Sequence, residues 1–445
     1  MKKQLYKFLI LSVVALMGCN KSTQYDLPVV TTVQPVFEAA TGTVWSGGNV
    51  PGDDYYISAY GICWSTTNST PTIADTKTSE TLSRLAFVSS ISDLAAGTTC
   101  YVRAYASNET GTSYGEVYAI NISSANTIDV QVSTLAGNST AGFTDGNGNS
   151  ALFNYPMGLW ADQSGDLYVA DSYNSAIRKV TQLADVITIS GDGTIGYIDG
   201  HLASAQFYAC SGITGDNQGN LFVADRGNNI IRKLSDGEVT TLAGTGTAGL
   251  ENGNGNKADF NTPVSITVNA SGYLFVADYG NNLIRKIAPD GVVSTFAGNT
   301  AAGYINRTGT DASFNKPNAI AIDSEGNLFI AEAANHAIRK IDANGVVSTV
   351  IGGPDNSDIV GDPTGLIVDA QGNLYICDGA GRILKLDTDH ILTVIAGSST
   401  TGFADGKGSS ALFNNPQGLT IDPSGNLYVA DYGNQRIRKI AIAKI

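Results

Sequence analysis

Short apolar stretches of four to six residues, rich in Val, Ile and aromatic side chains, recur along most of this chain between clusters of Gly, Asn and Asp. That length and punctuation predict β-strands and tight turns; no long apolar stripe of helical period interrupts them. The pattern is periodic. A run of the form Leu-aromatic-Val/Ile-Ala-Asp returns at Leu167–Asp171, Leu221–Asp225, Leu274–Asp278, Leu328–Glu332, Leu374–Asp378 and Leu427–Asp431. Its acidic positions are 54, 53, 54, 46 and 53 residues apart. A period of this size marks a supersecondary unit that buries its apolar face only by stacking on copies of itself.

Each period holds four stretches. In the third copy they are 265–268, 274–277, 283–287 and 292–296. The first turn is Asp/Asn-x-x-Gly in all six copies, from Asp162–Gly165 to Asp422–Gly425. Its first side chain can bond the backbone two residues on, and its glycine allows a positive φ. Six four-stranded antiparallel sheets in series predict an all-β, six-bladed β-propeller. The last copy ends without a fourth stretch, while an unpaired run at 132–137 precedes the first. That N-terminal strand is expected to complete the last blade and close the ring, which removes an exposed sheet edge.

Leu-Tyr-Val-Ala-Asp-x-x-Asn followed by Ile-Arg-Lys resembles the NHL repeat, whose six-copy versions form six-bladed propellers. The resemblance covers residues 128–445. It implies a scaffold and leaves the activity open, since its relatives include binding scaffolds, sensors and a few enzymes.

The front of the chain differs. Lys2, Lys3 and Lys7 precede an apolar run at 8–17, too short to span a bilayer, so 1–18 reads as an export signal. Gly18-Cys19 is similar to the bacterial lipoprotein processing box, which implies lipidation of Cys19 and a membrane anchor, with 19–26 as a tether. The expected location is a bacterial cell envelope, at the outer membrane, facing periplasm or exterior. Residues 27–125 lack the repeat. Gly61-Ile-Cys-Trp-Ser65, Leu94-x-x-Gly97 and Tyr101-Val-Arg-Ala-Tyr-Ala106 resemble a fibronectin type III-like β-sandwich, with Trp64 and Cys100 in its core. The sandwich is expected to act as a spacer. Cys210 and Cys377 stand where other copies carry small apolar residues. For Cys63 and Cys100, a disulfide and two buried thiols both remain open.

Charge narrows the partners. The chain carries −14, and −17 without the three leader lysines. No basic stripe is present to neutralise phosphates, which argues against nucleic acid.

Chemistry is expected on loops. The connections between copies run for about twenty residues, as in 138–156, with a recurring Ala-x-Phe; the one before the fifth copy is cut short at 352–363 and predicts a notch in the rim. These long connections are expected to crown one face of the ring. Asp145, Asn147 and Asn149 resemble the opening of a calcium loop but lack its distal glutamate. The repeated acids pair in register with Arg178, Arg232, Arg285, Arg339 and Arg438, the fifth copy having Leu384 instead, which points to bracing of loops and not to catalysis. The side chains that break the repeat are the better ligand-binding candidates: Tyr173, Arg226, Tyr279, His336 and Tyr432.

Two functions follow. One is a non-catalytic recognition protein that binds an extracellular glycan or protein on the long-loop face and needs no cofactor. The other is a calcium-dependent, lactonase-like hydrolase. A zinc lyase of the kind known among NHL relatives needs converging histidines. The chain has three, His201 and His336 expected on the long-loop face and His390 on the opposite one.

Overall fold

The computed structural model of the protein describes residues 25–38, 41–50, 56–80, 86–122, 129–216, 218–354 and 359–442. The leader and Cys19 lie outside them.

Six sheets form the ring. Blade one consists of Pro156–Ala161, Leu167–Asp171, Ala176–Val180 and Asp185–Ser190, and blades two to five repeat this meander. In blade six, Pro416–Ile421, Leu427–Asp431 and Arg436–Ile442 are completed by Val130–Gly137 from the other end of the propeller sequence. Arg436 pairs with Gly137 and Ile440 with Val132, antiparallel. The first strand of each blade faces the axis. These strands approach so closely that a Cβ on Gly418 would lie 2.0 Å from the Met157 carbonyl oxygen, which explains the small residue at this place in the strand.

The long connections start from one face of the ring, the long-loop face, but do not crown it. Each leaves the ring, runs down the outer edge of its own blade and adds a short fifth strand: Gly146–Asn147 pairs with Val186 and Asp185, Gly200–His201 with Val239 and Glu238, and Gly406–Lys407 with Val132 and Gln131. Blades three and four have single bridges at the same place, Gly253 to Val293 and Thr308 to Val346. The outer strand would otherwise expose unpaired backbone groups. His201 is thereby carried beside the turn at Gly237 (the Leu202 N–H donates to its carbonyl) on the short-turn side, not the long-loop face.

Blade five lacks the long connection, and another part of the chain takes its place. Thr31–Glu38, the first strand of the N-terminal domain, pairs in parallel with the outer strand Ile391–Gly397, Phe37 opposite Ile391 and Glu38 opposite Leu392. The Phe37 N–H donates to the His390 carbonyl at 2.9 Å. The sandwich sheet of Thr31–Glu38, Thr43–Asn49 and Ala86–Ile91 therefore continues blade five. Strand alternation serves two cores. Phe37, Val44 and Phe87 face the second sandwich sheet, built on Ala59–Ser65 and Thr99–Ser107. Val36, Trp45 and Val88 pack instead on Ile351, Ile359 and Leu366 of the propeller. The sandwich is no free spacer: the notch expected at blade five is its seat.

All four described cysteines are buried thiols, so the disulfide left open for Cys63 and Cys100 does not form. Cys100 lies in the sandwich core, with Trp64 half-buried against it.

Candidate functional site

The repeated acids and arginines fix the loops around the ring. After the second strand each chain segment makes a single tight turn, such as Ser172–Asn174, which closes on a left-handed residue. Asp171, fully buried, accepts from the Asn154 N–H at 2.8 Å, from Asn174 Nδ2 at 2.7 Å and from Arg178 Nη1 at 2.7 Å. Arg178, also fully buried, donates onward to the carbonyls of Leu152 and Thr144 and to Asp145. The guanidinium sits 5.3 Å from the Phe153 ring centre, which gives the recurring Ala-x-Phe its purpose. Asp225–Arg232, Asp278–Arg285, Glu332–Arg339 and Asp431–Arg438 repeat the arrangement with both side chains fully buried. In blade five Leu384 fills the arginine's place, and Arg382, two residues earlier and directly opposite Asp378 on the paired strand, reaches it instead. A fully buried carboxylate held by three donors is bracing and is closed to a substrate.

The same network absorbs the calcium-loop candidates. Asp145 accepts from Arg178 and from the backbone and hydroxyl of Thr188. Burial raises its pKa, but these hydrogen bonds outweigh it and hold the carboxyl below its usual value. Asn147 spends its amide on the Leu183 carbonyl and Asp185, and the Asn149 carbonyl accepts from Asn138. A cation there would have to displace a fully buried arginine.

Of the five ligand-binding candidates, three come together. Tyr173, Tyr432 and Arg226 surround the long-loop mouth where blades six, one and two meet. Tyr155, which sequence reading missed, joins them: its ring lies 4.8 Å from Tyr173 and 4.6 Å from Tyr432, centre to centre. Burial, together with the Tyr173 hydroxyl, pushes Tyr432 up to about 12. Arg226 Nη1 sits 4.0 Å from the Met157 sulfur at the channel wall. Tyr155 occupies the place before Pro156, held at φ 54, where other blades carry Ala209, Thr262, Lys316 and Asn415. No two copies carry the same residue there, so comparing copies does not single Tyr155 out.

The other two candidates lie elsewhere. Tyr279 packs on the core between blades three and four, with the Lys316 ammonium 5.8 Å from its ring. His336 closes its turn at φ 49 and bonds the Gly361 carbonyl of the next blade. It is an inter-blade latch, the counterpart of Asn229, Asn282 and Gln435, whose side-chain oxygens accept from Thr262, Lys316 and Tyr155 N–H groups.

Below the mouth the axis encloses a cavity of about 270 Å³ lined by the six inner strands. Its wall is built from side chains such as Met157, Ile213, Asn318, Thr364 and Gln417, and among the lining residues none is ionisable.

The SMP-30/Gluconolactonase/LRE-like region matches residues 157–397, and the NHL repeat matches 413–440. The Arabidopsis thaliana Protein SUPPRESSOR OF QUENCHING 1, chloroplastic is 30% identical over 62% of this chain and 29% of its own length. Human NHL repeat-containing protein 2 is 26% identical over 69% of this chain and 42% of its own. The chain thus spans less than half the length of these curated relatives. Among solved structures, an auxiliary nutrient binding protein from Bacteroides ovatus ATCC 8483 superposes with a TM-score of 0.54 at 17% identity, covering 94% of this chain and 99% of that one. One from Bacteroides thetaiotaomicron VPI-5482 gives 0.54 at 15% identity, over 94% and 98%.

Proposed function

Because this chain belongs to the SMP-30/gluconolactonase/LRE-like family of propellers, we propose that it keeps the ring of that family as a recognition surface without catalysis. In this reading it binds an extracellular glycan at the long-loop mouth and is held to a bacterial envelope membrane through lipidated Cys19. The observation that carries it is the grouping of Tyr155, Tyr173, Tyr432 and Arg226 above a channel whose lining residues bear no acid or base. Aromatic rings stack on the C–H faces of sugars while the phenols and guanidinium bond hydroxyls. General acid–base catalysis needs a titratable group within hydrogen-bond reach of the reacting atoms, and the channel wall supplies neutral amides and hydroxyls. The nutrient-binding description of the two Bacteroides proteins supports the same direction.

The family match favours one other reading, a calcium-dependent lactonase, in which channel amide and hydroxyl oxygens would ligate the ion. A glycan array probed with the mature chain separates the two. Capture of a glycan, weakened at least tenfold by Tyr155→Ala or Tyr432→Ala with the melting temperature unchanged, is the expected result. Calcium-dependent hydrolysis across a lactone panel with no glycan captured would reverse it.

A further inference from the structure

A second cavity, of about 540 Å³, lies in the groove between blades one and two near the short turns, remote from the long-loop mouth. It exists because the repeat is broken at two neighbouring places. Trp160 stands where the other blades carry Thr214, Thr267, Ala321, Ile367 and Thr420, and Gly215 stands where they carry larger residues or alanine. The two are coupled: a Cβ on Gly215 would lie 2.5 Å from the Trp160 ring. Trp160 pairs across the strands with Tyr168, ring centres 5.5 Å apart.

The polar groups of this groove are left open where their counterparts are satisfied. In blades two, four, five and six the turn aspartate takes a hydrogen bond on Oδ2 from an asparagine four residues on: Asn220 to Asp216, Asn327 to Asp323, Asn373 to Asp369 and Asn426 to Asp422, at 2.6–2.8 Å. Blade one has Asp166 at that place. It cannot donate, and it pairs with Lys179 at 2.8 Å instead. Asp162 Oδ2 therefore has no donor among the described residues, although Oδ1 keeps its turn contacts with the Ser164 and Asp166 N–H groups. Tyr375 and Tyr428 give their hydroxyls to their turn aspartates. Neither the hydroxyl of Tyr168 nor the Trp160 Nε1–H has a hydrogen-bond partner among the described residues, and Asp162, Tyr168 and Trp160 all line the cavity. Ile187, 46% exposed, and Leu202 supply apolar wall.

We propose that this groove is a second binding site, which takes a pyranose unit of a saccharide. The open groups select the chemistry. Asp162 Oδ2 only accepts, so the ligand must donate there; Trp160 Nε1–H only donates, so the ligand must accept. Sugar hydroxyls do both. An ammonium ligand would satisfy the carboxylate and leave the indole N–H facing a cation. The apolar wall suits the C–H face of the ring, and the volume falls within the range of small-molecule sites, roughly 300–1,000 Å³.

Isothermal titration of the mature full-length protein with maltose, cellobiose and N,N′-diacetylchitobiose tests the site. At least one is expected to bind. Trp160→Thr, which installs the residue of blades two, three and six, is expected to abolish that binding. Asp166→Asn is expected to weaken it at least tenfold, because the new amide occupies Asp162 Oδ2 as in the other blades. Leu250→Ala, on an exposed loop outside both cavities, is expected to leave it unchanged. Absence of binding by all three up to about 10 mM, or binding that survives both groove substitutions, would overturn the site. Binding lost in Tyr432→Ala and kept in Trp160→Thr would place the sugar at the long-loop mouth and overturn it equally.

Discussion

A fully buried arginine cannot shed its charge, so each of these side chains is tolerable only while its acid and its loop carbonyls are in place. Asp278→Ala would leave the buried Arg285 charge without a carboxylate among the described residues, with only the carbonyls of Asp259, Leu250 and Glu251 and the Asn252 side chain as acceptors. We expect a loss of about 3–5 kcal/mol in denaturant unfolding; a loss below about 1 kcal/mol, typical of an exposed pair, would contradict the bracing role. The same residues set a pH dependence. Burial pushes the Asp171 carboxyl up to about 6 against the pull of Arg178, and raises Asp225, Asp278, Glu332 and Asp431 likewise. In the short turns burial also pushes upward, but hydrogen bonds led by those from Asn220 and Asn426 outweigh it and hold Asp216 and Asp422 below their usual value. Between about pH 4 and 6 the native form therefore binds protons that the unfolded chain has released, and stability falls as pH rises across that window. Below about pH 4 the unfolded chain takes protons that the turn aspartates resist, and stability falls as pH drops. Thermal unfolding followed against pH should show greatest stability at mildly acidic pH. A steady rise from pH 4 to 8 would contradict the raised set. At this scale the acid–arginine register was plain in the sequence, because both residues recur. Tyr155 was not, because it marks a position where every copy differs.

Elements show where reading by length fails. Twenty-residue connections declare that loops are long but not which way they run, and here backbone satisfaction at the outer strand decides the route. The missing connection of blade five was visible as a deletion. Its consequence was hidden, because Val36, Trp45 and Val88 alternate with Phe37, Val44 and Phe87 as any strands between two apolar layers would. Val36 is 1% exposed, so Val36→Asp places an unpaired carboxylate in that interface at a cost of several kcal/mol. The variant is expected to release the sandwich from the ring, with a larger radius of gyration in small-angle scattering and unchanged β content by circular dichroism. An unchanged radius with unchanged stability would mean that the seat on blade five contributes little.

For the whole molecule, the propeller was legible because six copies of one strand–turn–strand pattern leave little freedom of architecture, and because the strand missing at one end is present at the other. The candidate site was less legible: the mouth gathers residues from blades six, one and two, whose separation along the chain gives no hint of contact, while Tyr279 packs between blades and His336 latches two of them. Ring and sandwich join in one continuous sheet, which in the proposed reading gives the mouth a fixed aspect toward its ligand. The proposed role is capture without conversion. The direct measurement is equilibrium dialysis of the mature protein against its best glycan from the array, with and without calcium, followed by mass analysis of the recovered glycan. Saturable binding in both conditions, reduced at least tenfold by Tyr155→Ala, with the glycan recovered at its original mass, is the expected result. Progressive cleavage of the glycan, or calcium-dependent turnover that removal of Tyr155 does not affect, would contradict it.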